Sequence, residues 1–308
     1  MRKNKVLIVD EVHPSMAEGL TNLGFEVETH TDLSLADFSR ILPSFDGLVV
    51  RSKFKITAEI LENTALSFIA RAGAGLDLLD VDACLSRGIA VFSANEGNSD
   101  AVAEHVIGQL LSLAHKLHTS DTEVRHGLWE REGNRGFEIK GKTIGIIGYG
   151  NMGKAVASRL SSFGMRILAY DKYAPSADFP ATLEQIFEQA DIVSLHIPLT
   201  LETRGLVSND FIESFQKPIL LINSSRGPIA PLEPLLHGLR SGRIKGIALD
   251  VLPNEKLPSW SPVEKELFAE IAAYPATIFS PHVAGWTTES YFKINEVLLE
   301  KIKAHFKL

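Results

Sequence analysis

Cysteine is almost missing from this chain of 308 residues: Cys84 stands alone. No intrachain disulfide can form, so apolar burial has to hold the fold, and a reducing cytoplasm is the expected compartment. Cys84 itself is expected to be a small buried hydrophobe. Long apolar runs are missing too. Val6-Leu7-Ile8-Val9, behind the polar Met1-Arg2-Lys3-Asn4-Lys5, is too short for a bilayer span or a signal core and reads as a first strand. There is no long basic run, and the formal net charge of −7 argues against nucleic acid or an anionic membrane as the main partner. Repeats and low-complexity tracts are likewise absent. Hydrophobic residues at 45% and charged residues at 22% are ordinary for a globular protein, so the chain is neither disordered nor fibrous. Its length suggests about two domains, each able to bury a core.

Glycine, by contrast, is placed with purpose. Gly148, Gly150 and Gly153 form G-x-G-x-x-G at the end of the apolar run Thr143-Ile144-Gly145-Ile146-Ile147. A glycine triplet alone marks many ordinary turns. Here Met152, Val156 and Leu160 follow at helical spacing, Gly164 closes that helix, and Arg166 to Tyr170 forms a second β-rich run ending at Asp171. The unit is β-α-β. Gly148 permits a tight turn, Gly150 lets the backbone approach a pyrophosphate, and Gly153 lets helix and strand pack closely. N–H groups at the helix start face the anion. Asp171 can accept hydrogen bonds from ribose hydroxyls and repel a 2′-phosphate, which favours NAD over NADP, although the adjoining Lys172 softens that discrimination. The alternative is that the glycines only pack and Asp171 only starts a turn.

Strand runs at 6–9, 26–29, 47–50, 67–70 and 90–92, separated mostly by helical stretches, predict a small parallel α/β domain. A long helix over 100–115 is apolar around most of its circumference and is expected to be buried. The stretch 125–136 is polar with Trp129 embedded, and reads as a projecting arm. Further strands are expected at 192–196, 219–223, 246–250 and 277–279, making six or seven in a doubly wound sheet. Thr182 and Gln185 form a capping box. The segment 289–305, with Ile294, Leu298 and Ile302 on one stripe, reads as an amphipathic helix that can return to the first domain.

In open α/β sheets ligands bind beyond the carboxyl ends of the strands. Those ends carry Asn223-Ser224-Ser225-Arg226-Gly227, then Asp250 followed by Glu255, then Ser280-Pro281-His282. Arg226 can clamp a carboxylate through its planar fork. His282 can exchange a proton near neutral pH, with Glu255 beside it holding one tautomer and favouring the cation. Together they fit hydride transfer to or from a 2-hydroxy acid. Each alone has a bland reading: Arg226 as an ion-pair partner, Glu255 as an exposed loop charge, His282 as a capped loop histidine. His105, His115, His118 and His126 lack the spacing of a metal site, and no metal is expected.

These segments, with Arg71-Ala72-Gly73-Ala74-Gly75-Leu76-Asp77, Ala248-Leu249-Asp250-Val251 and Pro281-His282-Val283, resemble those of the D-isomer-specific 2-hydroxyacid dehydrogenases over nearly the whole chain. The resemblance implies an α/β protein of two domains. A Rossmann-type doubly wound coenzyme domain, 99–284, is inserted into a smaller flavodoxin-like substrate domain, 1–98 and 285–308. It implies His282 as acid/base, Glu255 as its partner and Arg226 as the substrate-orienting residue. NAD would be lined by Gly148, Tyr149, Gly150, Asn151, Met152, Gly153, Asp171, His196, Pro198, Thr203, Asn223, Ser224, Ser225, Asp250 at the nicotinamide end, and Gly285. Substrate would meet Arg51, Ser52, Arg71, Ala72, Gly73 and Gly75. It further implies a homodimer through the coenzyme domain, embraced by the arm around Trp129.

Within the family, Val50-Arg51-Ser52, Arg71 to Asp77, Asn95 to Ser99 and Trp129-Glu130-Arg131 look most like the phosphoglycerate-oxidising members. Phosphoglycerate adds a phosphate to the carboxylate, and Arg51, Lys53 and Arg71 can supply the cations, with Arg131 or Arg135 from a neighbouring subunit. Backbone N–H groups near Ala72 to Gly75 can hold the carboxylate. The expected pair is therefore D-3-phosphoglycerate and 3-phosphohydroxypyruvate, in serine biosynthesis. Glyoxylate or hydroxypyruvate reduction, or another 2-oxo acid reductase, is an alternative, and a nucleotide-sensing protein with little turnover is another. Two departures stand out: Lys256 where the family usually has proline, and Trp286 where the phosphoglycerate enzymes usually carry a small residue. The sequence stops at Leu308, soon after His282, so no C-terminal regulatory domain of the kind many of those enzymes carry is expected.

Overall fold

The computed structural model describes residues 4–176 and 178–308; Met1 to Lys3, in the expected lead-in to the first strand, lie outside the described residues. In chain order come β1 (Lys5–Ile8), α1 (Ser15–Asn22), β2 (Glu26–Thr29), α2 (Leu35–Ile41), β3 (Gly47–Val50), α3 (Ala58–Leu61), β4 (Phe68–Arg71), α4 (Val81–Ser86) and β5 (Ala90–Ser93). Then follow α5 (Ser99–Ala114), α6 (Leu117–Arg125), β6 (Thr143–Ile147), α7 (Asn151–Ser162), β7 (Arg166–Tyr170) and α8 (Leu183–Gln189). The chain continues through β8 (Ile192–Leu195), α9 (Asn209–Glu213), β9 (Ile219–Asn223), α10 (Leu232–Arg240), β10 (Ile244–Leu249), α11 (Pro262–Ala273), β11 (Thr277–Phe279) and α12 (Thr288–Phe306). It forms two compact units. One takes the chain up to Ser99 and again from Trp286 to Leu308; the other is Asp100–Gly285.

The first unit is a five-stranded parallel sheet in the order β2-β1-β3-β4-β5. Parallel strands covered on both faces carry unbroken apolar runs, and Gly47-Leu48-Val49-Val50 of β3 is buried throughout. α12 closes one face on the stripe Ile294, Leu298 and Ile302, all buried with Val6, Ile8, Leu20 and Phe68. The backbone of Ile294 passes so close to Gly97 that a Cβ there would stand 2.7 Å from its Cα. Cys84 is buried in this unit's other cluster.

The second unit is a six-stranded parallel sheet in the order β11-β10-β9-β8-β6-β7. Next to β7 a single parallel bridge, Ala169 to Pro180, stands where a seventh strand would pair. The order of strand addition switches sides at β6, which pairs β7 on one side and β8 on the other, all parallel. Thr182 and Gln185 cap α8 reciprocally, the N–H of Gln185 donating to Thr182 Oγ1 and the N–H of Thr182 to Gln185 Oε1. Several boundaries differ from the sequence reading by a residue or two. β4 runs one residue later and ends on Arg71, β8 stops at Leu195, and β10 stops at Leu249, so His196 and Asp250 stand just past their strands. Among the described residues no helix is long and apolar enough to cross a membrane.

Candidate active site

The carboxyl ends of the second unit's strands bring the glycine turn and Asp171 together. Gly148 holds φ +94°, and a Cβ on it would stand 2.4 Å from the carbonyl oxygen of His196, so only glycine fits. At Gly153 in α7 a Cβ would stand 2.1 Å from Gly148 O. The Gly150 position has nothing within 4 Å, which is the open ground a pyrophosphate needs. Gly150 also precedes α7 without a side-chain cap, leaving the first-turn N–H groups of Asn151 and Met152 to other acceptors.

Asp171 Oδ2 accepts from the N–H of Tyr149 at 2.8 Å, and Oδ1 from the N–H of Tyr173 and Ala174, each at 2.9 Å. Burial pushes this carboxyl upward, but the three backbone donors and the charge of Lys154 outweigh it and hold it below the ordinary carboxylate range. A carboxylate offers roughly four acceptor positions, so one remains for a ribose hydroxyl. Lys172 does not compete there: its ammonium pairs with Glu202, which also takes the hydroxyl of Tyr173 at 2.8 Å.

Burial pushes the His196 imidazole down to about 4, so the ring is neutral, with Nε2 2.8 Å from Ser194 Oγ. Past it, the Thr203 hydroxyl donates to the carbonyl of Pro198 at 2.6 Å and accepts from the N–H of Thr200 at 2.8 Å. Asn223 is fully buried at the end of β9; its amide donates to Arg226 O at 3.0 Å and its Oδ1 accepts from the N–H and hydroxyl of Ser225. Ser224 Oγ is buried with no hydrogen-bond partner. A Cβ at Gly227 would stand 1.9 Å from Leu252 O, so the Arg226 turn lies directly on the turn leading to Glu255.

His282 and Glu255 meet. Nδ1 of His282 lies 2.9 and 3.0 Å from the two carboxylate oxygens of Glu255. A carboxylate only accepts, so Nδ1 carries the proton and Nε2 is the nitrogen left for a reactant. Asp250 shapes the loop from behind: fully buried, it accepts Ser280 Oγ–H at 2.6 Å and the N–H groups of Val283 and Ala284 at 2.9 Å each. The N–H of His282 donates to the Asp250 carbonyl at 2.7 Å. Gly285 follows, half-buried. Arg226 donates through Nη1 to Ser225 O at 2.7 Å.

In the first unit, Arg51 follows β3 and Arg71 ends β4, neighbours in register at Val50 and Arg71. The N–H groups of Arg51, Ser52 and Lys53 all donate to the buried carboxylate of Asp10, at 2.6, 3.2 and 3.1 Å. Gly73 holds φ +155°, and a Cβ on it would stand 1.8 Å from Nη1 of Arg71. The expected N–H set narrows here: Ala72 donates to Val50 O at 2.8 Å and Gly73 to Arg71 O at 2.7 Å, so both are spent inside the unit, unlike Gly75 and its neighbour Ala74. Lys53 is also committed, its ammonium donating to Thr31 O. Arg135 pairs with Glu132 within the arm at 2.6 Å.

Three contributors escaped the sequence. Asp10 stands one residue past the first apolar run, and reading early strand ends as the later ones were read would have found it. His105, set aside in the sequence as no metal ligand, lies on α5 with Nε2 2.9 Å from Ser280 Oγ and 3.6 Å from Asp250 Oδ1. Trp260 is buried and donates Nε1–H to Asn254 O at 2.7 Å, fixing the turn that carries Glu255. No group of three or more His, Cys, Asp or Glu side chains among the described residues can hold a metal.

The chain as a whole resembles known proteins. The model for the D-isomer specific 2-hydroxyacid dehydrogenase NAD binding domain matches residues 107–284. A hydroxypyruvate reductase of Thermotoga maritima is 33% identical over 98% of this chain and 98% of its own length. A D-3-phosphoglycerate dehydrogenase of Archaeoglobus fulgidus is 31% identical over 97% of this chain but 56% of its own length. The chain thus spans roughly half of such relatives, 51% to 57% of those compared. A solved D-lactate dehydrogenase of Aquifex aeolicus, complexed with NAD and lactic acid, superposes with a TM-score of 0.85 at 25% identity, covering 99% of this chain and 96% of that one. The chain belongs to the D-isomer specific 2-hydroxyacid dehydrogenase family, NAD-dependent oxidoreductases of the CH–OH group.

Proposed function

We propose that the chain interconverts a D-2-hydroxy acid and its 2-oxo acid, with D-3-phosphoglycerate and 3-phosphohydroxypyruvate as the pair. The observation that carries the chemistry is the His282–Glu255 pair at 2.9 Å. Nicotinamide, when bound, accepts or returns the hydride. Nε2 of His282 takes the proton from the substrate hydroxyl in oxidation and gives it back in reduction, while Glu255 fixes the tautomer and stabilises the cation formed. Arg226 clamps the carboxylate and polarises the reacting carbonyl. The N–H groups of Ala74 and Gly75 hold that carboxylate, and fixing it sets which face of the carbon reacts. Asp171, with Lys172 drawn to Glu202, favours NAD over its 2′-phosphorylated form.

Arg51 and Arg71, at the same end of adjacent strands, support a substrate with a second anionic group. The reading includes a homodimer through the second unit, with the exposed arm around Trp129 as its embrace, in the cytoplasm. A second reading, reduction of unphosphorylated hydroxypyruvate or glyoxylate, is favoured by the Thermotoga relative, a hydroxypyruvate reductase of which this chain covers 98%. The test is NADH oxidation against 3-phosphohydroxypyruvate, hydroxypyruvate and glyoxylate, compared as kcat/KM. Preference for the phosphorylated acid is expected; preference for either of the others would replace the first reading by the second, and NADH binding without turnover would make the chain a sensor.

A further inference from the structure

Trp286 stands with its side chain 45% exposed, an unusual place for a tryptophan with no polar role, and the guanidinium carbon of Arg51 lies 3.9 Å above its ring centroid. Both members of this stack are fixed from behind. Trp286 meets Tyr291 edge-on at 5.0 Å, Tyr291 meets His13 edge-on at 5.5 Å, and His13 Nδ1 accepts the N–H of Ser15 at 3.2 Å. The His13 carbonyl in turn accepts from the buried amide of Asn295 at 2.9 Å. On the other side, Asp10 accepts the Arg51 N–H at 2.6 Å. A guanidinium stacked on a ring gives up its face, not its donors: its N–H groups all lie in the plane and stay directed outward at the edge. Stacking therefore orients the fork and removes rotamer freedom that an anion would otherwise have to freeze out.

We infer that Trp286 is a specificity-determining residue: it holds Arg51 edge-on toward the far end of the substrate and so selects 2-oxo acids that carry a second anionic group, a phosphate monoester above all. The inference rests on the phosphorylated-substrate reading above. It also runs against the simpler expectation that a large ring in place of a small residue only narrows the site.

The experiment measures kcat/KM with NADH for 3-phosphohydroxypyruvate and for hydroxypyruvate in the wild type, W286A, W286F, R51A and the R51A/W286A double variant. In W286A the ratio of the two values should fall about five- to tenfold, mostly through KM of the phosphorylated acid, and W286F should recover much of it because phenylalanine still offers a π face. In the R51A background, W286A should change the ratio little. A wild type that prefers hydroxypyruvate sinks the substrate reading and this inference with it. A wild type that prefers the phosphorylated acid, with a ratio unchanged or raised in W286A or an equal further drop in the double variant, overturns the role of Trp286 alone. General damage to the unit lowers both values together and leaves the ratio where it was, which counts against the inference as well.

Discussion

His282 holds φ +56°, one of three non-glycine residues with positive φ among those described. Histidine, asparagine and aspartate visit this left-handed region more readily than other residues, and the local cost is met by Asp250, which binds the loop on both sides of the residue. The imidazole is thus presented by a turn whose shape is set by a neighbour. His282→Asn is the replacement that keeps this backbone while removing the proton carrier. It should lower kcat about 10²–10⁴-fold with NADH affinity nearly unchanged, read by steady-state kinetics and by fluorescence titration of NADH. Wild-type turnover in that variant would remove His282 from the chemistry. Gly227 shows the same dependence on a neighbour, since the Leu252 carbonyl occupies the space its side chain would need.

Elements are registered at the amino-terminal ends of the central strands of the same sheet. Asp191, just before β8, accepts the Thr143 N–H at the start of β6 and the Lys217 ammonium just before β9, each at 2.9 Å. Burial pushes its carboxyl up, while Thr143, Lys217 and Lys142 outweigh that and hold it below the ordinary 3.8. A carboxylate with a depressed folded value adds stability that is fully present above its unfolded value and is lost as pH falls through the folded one. Asp191→Asn should therefore cost about 1–3 kcal/mol at neutral pH and flatten the loss of stability below pH 3.8, the ordinary value of the group. Denaturant midpoints measured across acid pH check this; equal slopes in both proteins would refute it. His196 acts in the same direction at higher pH: neutral in the fold, it costs stability as pH falls from 6.5 toward about 4.

At the scale of the whole molecule, one unit carries the glycine turn, Asp171 and the histidine pair, and the other carries Arg51, Arg71 and the glycine loop. The backbone of the arm at 126–136 is tied to its own unit, by Lys116 Nζ to Gly133 O at 2.6 Å, the Leu128 N–H to Glu123 O at 2.9 Å and Thr119 Oγ1 to Asn134 Oδ1 at 3.3 Å, but its large apolar side chains are left outside. Leu128 at 53% and Trp129 at 79% exposure are expensive apolar surface for a lone chain to leave in water. In the proposed dimer they are covered. Trp129→Glu should shift sedimentation toward a monomer at micromolar concentration; an unchanged dimer would place the interface elsewhere.

Much of this architecture was legible beforehand because parallel strands buried on both faces write themselves as short apolar runs, and because strand ends in such sheets mark where candidate site residues stand. The G-x-G-x-x-G turn, Asp171, Arg226, Glu255 and His282 were all readable in that way. What sequence could not supply was the set of contacts between segments distant in the chain. Asp10 holding the Arg51 turn, His105 beside Ser280 and Asp250, Trp260 behind Glu255, and the Arg51 face on Trp286 each join such segments. The chain by itself determined the periodicities, the glycine turn and the chemical types at each strand end, because those depend on local spacing. Only the tertiary structure decided which side chains hold which, because partners across a sheet are chosen by packing and by where buried polar groups find their hydrogen bonds.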